Sequence, residues 1–229
     1  MENLMSENFA QFQDRINYLE ATDPVSMALG TLYLEGASIL DTQDRQGALH
    51  FYDRAEDIFR KHQQGGNSAL SGEQPPLHSR HAKSALALCL NNRAALLVDM
   101  AQWDAARRAA SEAVTLRRDL LNADWSQSKT PVQDPALYKS LRADLVYSLG
   151  ALARAHAGEG NFPAALATCH DALMLLRPVA DDKTDPAFGL LGKMTAFYSQ
   201  VCALAGQKPD PALLFPLLQG LAAQKRTPE

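Results

Sequence analysis

LNNRAALLVDMAQWDAARRAASEAVTL, residues 90–116, is the stretch that decides how the rest of the chain is read. Leu90, Ala94, Leu97 and Ala101 recur at helical spacing, and after Trp103 the apolar stripe restarts as Ala106, Ala109, Ala110, Ala113 and Leu116. Only AQWD separates the two stripes, so the two helices are predicted to run antiparallel as an αα-hairpin. Asp104 suits the start of the second helix, where its charge favours unpaired backbone N–H groups. The alanines at 106, 110 and 113 let that helix approach its neighbours closely, and Trp103 is predicted to plug the joint between hairpins.

Composition agrees with a helical chain. Of 229 residues 46% are hydrophobic, enough for a sizeable core. Alanine and leucine dominate and β-branched residues are few, which favours helix over strand. A net charge of −4 argues against a nucleic-acid partner. Cys89, Cys169 and Cys202 all fall in apolar helical stretches and read as buried free thiols in a reducing compartment. The opening MENLMSENFAQFQD has neither the basic nor the apolar region of a signal peptide, and no run approaches the ~20 apolar residues of a membrane span. The expectation is a soluble cytoplasmic protein with no membrane partner.

Working outward, residues 6–21 form an amphipathic helix with Phe9, Phe12, Ile16 and Leu19 on one face, predicted to pack on the first hairpin. Asp-Pro then recurs at 23–24, 134–135, 185–186 and 210–211, a strong helix start in which Asp caps and Pro occupies the first turn. These marks divide the chain into repeat hairpins at 24–61, 76–121 and 135–177 and a degenerate capping hairpin at 186–224, where Pro216 is expected to kink or delay the last helix. The turns are DTQDR (41–45), AQWD, GEGNF (158–162) and GQKPD (206–210). Residues 62–75 and 122–134 read as connectors, and PVADDKTD (178–185) as a polar, exposed one.

The pattern resembles the tetratricopeptide repeat (TPR) family. Ala94, Trp103, Ala106, Ala110 and Ala113 stand at matching spacings, as do Gly36, Ala48, Tyr52 and Ala55 before them and Ala153, Phe162, Ala165, Cys169 and Ala172 after them. The departures are Arg45 in place of an aromatic, Leu97, Ala110 and Arg118. Ala48, Ala106 and Ala165 are 58 and 59 residues apart, against ~34 in an ordinary member. The resemblance implies an all-α fold of about eight or nine helices in a single domain, antiparallel hairpins stacked as a TPR-like right-handed solenoid. It also implies that the first helix of each hairpin lines a concave surface.

That register places Tyr33, Ala37, Asn91, Asn92, Ala95, Tyr147, Arg154, Lys193 and Gln200 along the groove. Of these, Tyr33, Asn91, Asn92, Tyr147, Arg154, Lys193 and Gln200 are the candidate partner-binding residues. Asn side chains can bond both groups of a peptide backbone, and Arg or Lys can hold a carboxylate. The carboxylate clamp of the chaperone-binding TPR subfamily is matched only at Asn92, so binding of chaperone tails is not implied.

Elsewhere the chemistry is sparse. His78 and His81 share a helix face, but no further ligands follow at metal-binding spacing. Cys169-His170 are adjacent on a helix and point about 100° apart, so they do not face each other. No catalytic motif is present, and no cofactor or metal is expected. Arg107-Arg108 and Arg117-Arg118 read as a solvated face. The sequence therefore predicts a non-enzymatic interaction module that binds a partner peptide or helix in a concave groove. A secretion or assembly chaperone and a homo-oligomeric scaffold are the alternatives.

Overall fold

The structure, a computed structural model, describes residues 2–66, 77–126 and 135–224. These residues are all-α: α1 (Glu2–Thr22), α2 (Met27–Leu40), α3 (Arg45–Gly66), α4 (Leu77–Asp99), α5 (Trp103–Ser126), α6 (Pro135–Gly158), α7 (Phe162–Leu176), α8 (Phe188–Leu204) and α9 (Pro211–Gln224), with a short 3-10 turn at Arg177–Val179 and no strand. The expected connectors start too early, since α3 runs on to Gly66 and α5 to Ser126. Gln63, Gln64, Ala123 and Asp124 add no helix breaker at those points. The remainder of both connectors lies outside the described residues. The chain divides into two compact units, Met1–Leu96 and Leu97–Glu229, so the division falls inside α4 rather than at either connector.

In the first unit α2 and α3 form an antiparallel hairpin and α1 packs on α2. Phe12 and Ile16 are buried, and the Phe12 ring lies against Gly36, where a methyl group would come within 2.7 Å of it. Glu20, Tyr33 and Arg54 tie the three helices together. The Tyr33 hydroxyl donates to Glu20, and Arg54 Nη2 donates to Glu20 Oε1 at 2.9 Å and to the Tyr33 oxygen at 3.1 Å. α4 is fastened to α3 by Arg93, 3.0 Å from Asp53 and 3.6 Å from Glu56, and by the Cys89 thiol, which donates to the Tyr52 carbonyl at 3.4 Å.

In the second unit α6 packs between α5 and α7. α7 continues onto α8, α6 also touches α8, and α9 covers α7 and α8. Leu145, Val146 and Leu149 of α6, Leu173 and Leu176 of α7, Leu191 and Cys202 of α8 and Leu217 of α9 form one core. Spaced by helical turns, they put one apolar stripe per helix inward.

Three hairpin turns repeat one design. α4, α6 and α8 each end with a residue at positive φ: Ala101 at 57°, Gly160 at 74° and Gly206 at 66°. In each case the next N–H returns to the carbonyl five residues back: Gln102 to Leu97, Asn161 to His156 and Gln207 to Cys202. This is the Schellman closure, which satisfies the last carbonyls of a helix and turns the chain sharply. The left-handed conformation costs a non-glycine residue about 1–2 kcal/mol. Ala101→Gly should therefore stabilise the protein, by up to about 1 kcal/mol once the greater freedom of glycine in the unfolded chain is subtracted. Urea titration measures it, and a destabilised variant would refute it.

The second helices are equally regular. Ala48, Ala106 and Ala165, then Tyr52, Ala110 and Cys169, then Ala55, Ala113 and Ala172 are all buried, each set keeping the same spacing of 58 and 59 residues. The residue opening these helices varies: Arg45 is exposed, whereas Trp103 and Phe162 are half-buried.

The Asp-Pro marks act in different ways. Asp210 caps α9 as expected, accepting the Ala212 N–H at 2.9 Å with Pro211 as the first helical residue. Pro135 also opens its helix, while Asp134 lies outside the described residues. Asp23-Pro24 does not start α2, whose cap is Ser26, with Oγ accepting the Leu29 N–H at 3.2 Å. Asp185-Pro186 precedes α8 by two residues, although Asp185 Oδ1 accepts the Ala187 N–H just as Asp210 Oδ1 accepts that of Ala212. α9 runs through Pro216 from Pro211 without a late start. The carbonyl freed by the missing N–H belongs to Ala212, which is exposed to water.

The 178–185 connector is a correction to its sequence reading. Val179, Ala180 and Asp185 are buried. Arg142 of α6 makes an ion pair with Asp185, both side chains under a tenth exposed, and Lys139 one turn earlier reaches Asp182 at 2.7 Å. Asp185 also accepts the Ala187 N–H at 2.9 Å. Two of its carboxylates, Asp182 and Asp185, thus meet charges on α6, while Asp181, Lys183 and Thr184 remain exposed. The Lys139 ammonium, ahead of the Thr184 hydroxyl and N–H, pulls the Asp182 carboxyl down to about 2.

Candidate interaction surface

On α6, Leu145, Val146, Leu149 and Ala153 take the inward face, which leaves Tyr147 and Arg154, seven residues apart, on the outward one. Tyr147 is 50% exposed. Arg154 is also exposed, and its Nη2 donates to Asp99 Oδ1 at 2.7 Å. On α8, Leu191, Met194, Tyr198, Val201 and Cys202 face inward, and Lys193 and Gln200, again seven apart, face solvent. α6 and α8 meet directly where Gly150 lies beside Met194, and a methyl group on Gly150 would stand 3.3 Å from the Met194 sulfur. Four of the candidate residues are therefore exposed on two adjoining helices of the second unit: an aromatic ring, two cations and an amide.

The other three lie in the first unit and are placed differently. Tyr33 is buried with its hydroxyl committed to Glu20 and Arg54, and burial, ahead of the Glu20 contact, raises its pKa above that of an ordinary phenol. Asn91 is 1% exposed, and neither its Oδ1 nor its Nδ2 has a hydrogen-bond partner among the described residues. Asn92 beside it is half-buried. An unpaired buried amide is a standing cost, because its desolvation is not repaid by a hydrogen bond. Asn91→Leu, close in size, should raise stability by about 1 kcal/mol, read as a later urea midpoint at unchanged slope. An unchanged or earlier midpoint would contradict that account.

The i,i+4 spacing of Asp104 and Arg108 predicts their pairing, but it does not announce the link from Arg107 to Glu159 at the end of α6. Arg107 bridges Asp104 at 2.5 Å and Glu159 at 2.9 Å, and Arg108 also reaches Asp104 at 2.5 Å. His156 sits behind, its Nδ1 buried and 3.9 Å from Glu159 Oε2, beyond hydrogen-bonding distance. Burial lowers the His156 pKa, Arg107 adds to the effect and Glu159 opposes it. The unfolded chain therefore takes up this proton first, near 6.5, the ordinary value of an imidazole, and the folded chain only at lower pH. Stability present above that pH is lost on acidification through and below it. His156→Gln should flatten the fall in stability on acidification from neutral pH. A variant retaining the full slope would remove His156 as its source.

The basic pairs expected on a solvated face are mostly engaged. Arg118 meets Asp171 at 2.9 Å. Arg117 is a correction: it is buried and paired with Asp144 at 2.7 Å. Burial lowers the Arg117 pKa and raises that of Asp144, each partly offset by the partner's charge. Cys169 is buried and His170 exposed, so the pair is split between core and solvent. All three cysteines are free and buried, and burial pushes the Cys169 thiol up to about 12. His81 is exposed, while the side chain of His78 lies outside the described residues. Among the described residues no three His, Cys, Asp or Glu side chains gather where a metal ion would sit, and no helix is long and apolar enough to cross a membrane. No protein-family model matches this chain, and neither does any curated protein.

Proposed function

We propose that the chain is a non-enzymatic, cytoplasmic interaction module, a TPR-like right-handed solenoid of helix hairpins that holds a peptide segment or helix of another protein on the outward faces of α6 and α8. One observation carries the reading. Tyr147, Arg154, Lys193 and Gln200 are exposed together on two helices that touch, each the first of its hairpin. The repeated Schellman turns and the evenly spaced buried alanines support the repeat part of the proposal. An aromatic ring supplies contact area at low entropic cost, Lys193, joined by Arg154 on exchanging its exposed Asp99 partner, holds an acidic side chain or terminal carboxylate, and the Gln200 amide bonds a peptide backbone.

The test is affinity purification from the native host with mass spectrometry, comparing the wild-type chain with the triple variant Tyr147→Ala, Arg154→Ala, Lys193→Ala. Loss of a partner from the variant, at unchanged circular dichroism and melting temperature, supports the surface. Equal recovery of every partner counts against it. A captured client that is unfolded and secreted would favour the assembly-chaperone reading.

A further inference from the structure

The first unit carries an open groove of about 580 Å³ between α1 and α2. Its wall is apolar, built from Tyr18, Ala28 and Leu32, and its rim carries Asp14, Arg15 and Glu35. These three charges are exposed and have no ion pair among the described residues, whereas Arg54, Arg60 and Lys61 of the same unit are each paired. Tyr18 stands on the lip, 68% exposed, the most exposed of the large apolar side chains among the described residues. The patch thus holds an aromatic anchor and an apolar cleft, a free cation and two free carboxylates.

We propose that this groove is where the chain self-associates. A second copy docks by twofold symmetry, Tyr18 of each protomer entering the groove of the other and Arg15 of each meeting Asp14 and Glu35 across the interface. The argument is self-complementarity. A twofold interface uses one patch twice, so that patch must contain both halves of every interaction. A patch recognising a basic partner would need only the acids, and one recognising an acidic partner only the arginine; this rim presents both signs around an unfilled apolar cleft. The surface belongs to the first unit and is independent of the α6–α8 reading.

Sedimentation velocity on the full-length chain across micromolar concentrations tests the proposal. The expected result is a reversible species of twice the 25.0 kDa chain mass. Tyr18→Ala should weaken it roughly 30-fold, the effect of truncating an interface hot spot. Arg15→Glu, which places like charges opposite each other, should also shift the equilibrium to monomer. Inverting the whole rim (Arg15→Glu with Asp14→Arg and Glu35→Arg) should restore association. All these side chains are exposed, so circular dichroism should be unchanged in each variant. A wild-type chain that stays monomeric throughout overturns the proposal, as does a dimer indifferent to both Tyr18→Ala and Arg15→Glu.

Discussion

Asp185→Ala should lower the stability of the second unit by about 3–5 kcal/mol, the usual cost of removing one partner of a buried ion pair. Arg142 keeps its charge in the variant, and its side chain is only 8% exposed. Its Nε has no hydrogen-bond partner among the described residues even in the intact protein, so little remains to compensate the guanidinium. The stacked Tyr138 ring, 5.8 Å from the guanidinium carbon, contributes about 1–2 kcal/mol at best in a desolvated setting. Two further variants separate the causes. Asp185→Asn retains an acceptor for the Ala187 N–H and should fall between wild type and alanine. Arg142→Met combined with Asp185→Leu removes both charges and should return to within about 1–2 kcal/mol of wild type, the lost Ala187 hydrogen bond being the residual deficit. Urea midpoints at constant slope measure all three. A loss below about 1 kcal/mol for Asp185→Ala would mean that solvent reaches Arg142.

Gly158→Ala should cost about 2–3 kcal/mol, the upper part of the range for overpacking. A methyl group there would lie 2.3 Å from Cε3 and 2.5 Å from Cδ2 of Trp103, well inside van der Waals contact. Indole is rigid, so relief requires the start of α5 to move away from the end of α6. Taken alone, alanine at the last residue of a helix is favoured over glycine by up to about 1 kcal/mol. The sign of the effect therefore reports the clash. With Trp103→Ala in the background the same glycine substitution should be neutral or stabilising, and the double-mutant cycle should give a coupling of about 2–3 kcal/mol. Independent, additive effects would mean that the ring does not rest on Gly158.

Much of the fold was legible because helices advertise themselves locally. The stripe from Leu90 and its restart after Trp103 correspond to α4 and α5, and Ala106, Ala110 and Ala113 are buried at the spacing that singled them out. The turn composition was legible too, since glycine at 160 and 206 answers a positive φ. What escaped were interactions between elements distant in sequence. Asp185 does bond the Ala187 N–H as a capping carboxylate would, but the letters Asp-Pro do not reveal that its other oxygen is buried against Arg142. A signal for that pairing was present: Lys139 and Arg142 are three apart, and so are Asp182 and Asp185, with opposite sign. Arg117 was read as solvated together with Arg118 because the TPR resemblance puts their helix on the convex side, yet on a helix the two differ by about 100° and only one faces Asp144.

The candidate surface was legible in part, for a related reason. A helical register tells which residues share a face of one helix, and Tyr147 with Arg154, like Lys193 with Gln200, stand seven apart and exposed. It does not tell whether another helix covers that face. Tyr33 lies on the first helix of its hairpin just as Tyr147 does, but α1 and α3 supply Glu20 and Arg54 to its hydroxyl.

The pairing of Lys139 with Asp182 and Arg142 with Asp185 also constrains chain length. Surface connections usually tolerate inserted or deleted residues, because closing a slightly longer loop costs little. Here two charges one helical turn apart are read by two carboxylates at the same interval, and the second must arrive buried. Adding or removing a single residue between Asp182 and Asp185 would let only one of the two pairs form. The segment therefore works as a ruler, and it is a place where substitutions at Lys183 or Thr184 should be accepted far more readily than any change in their number.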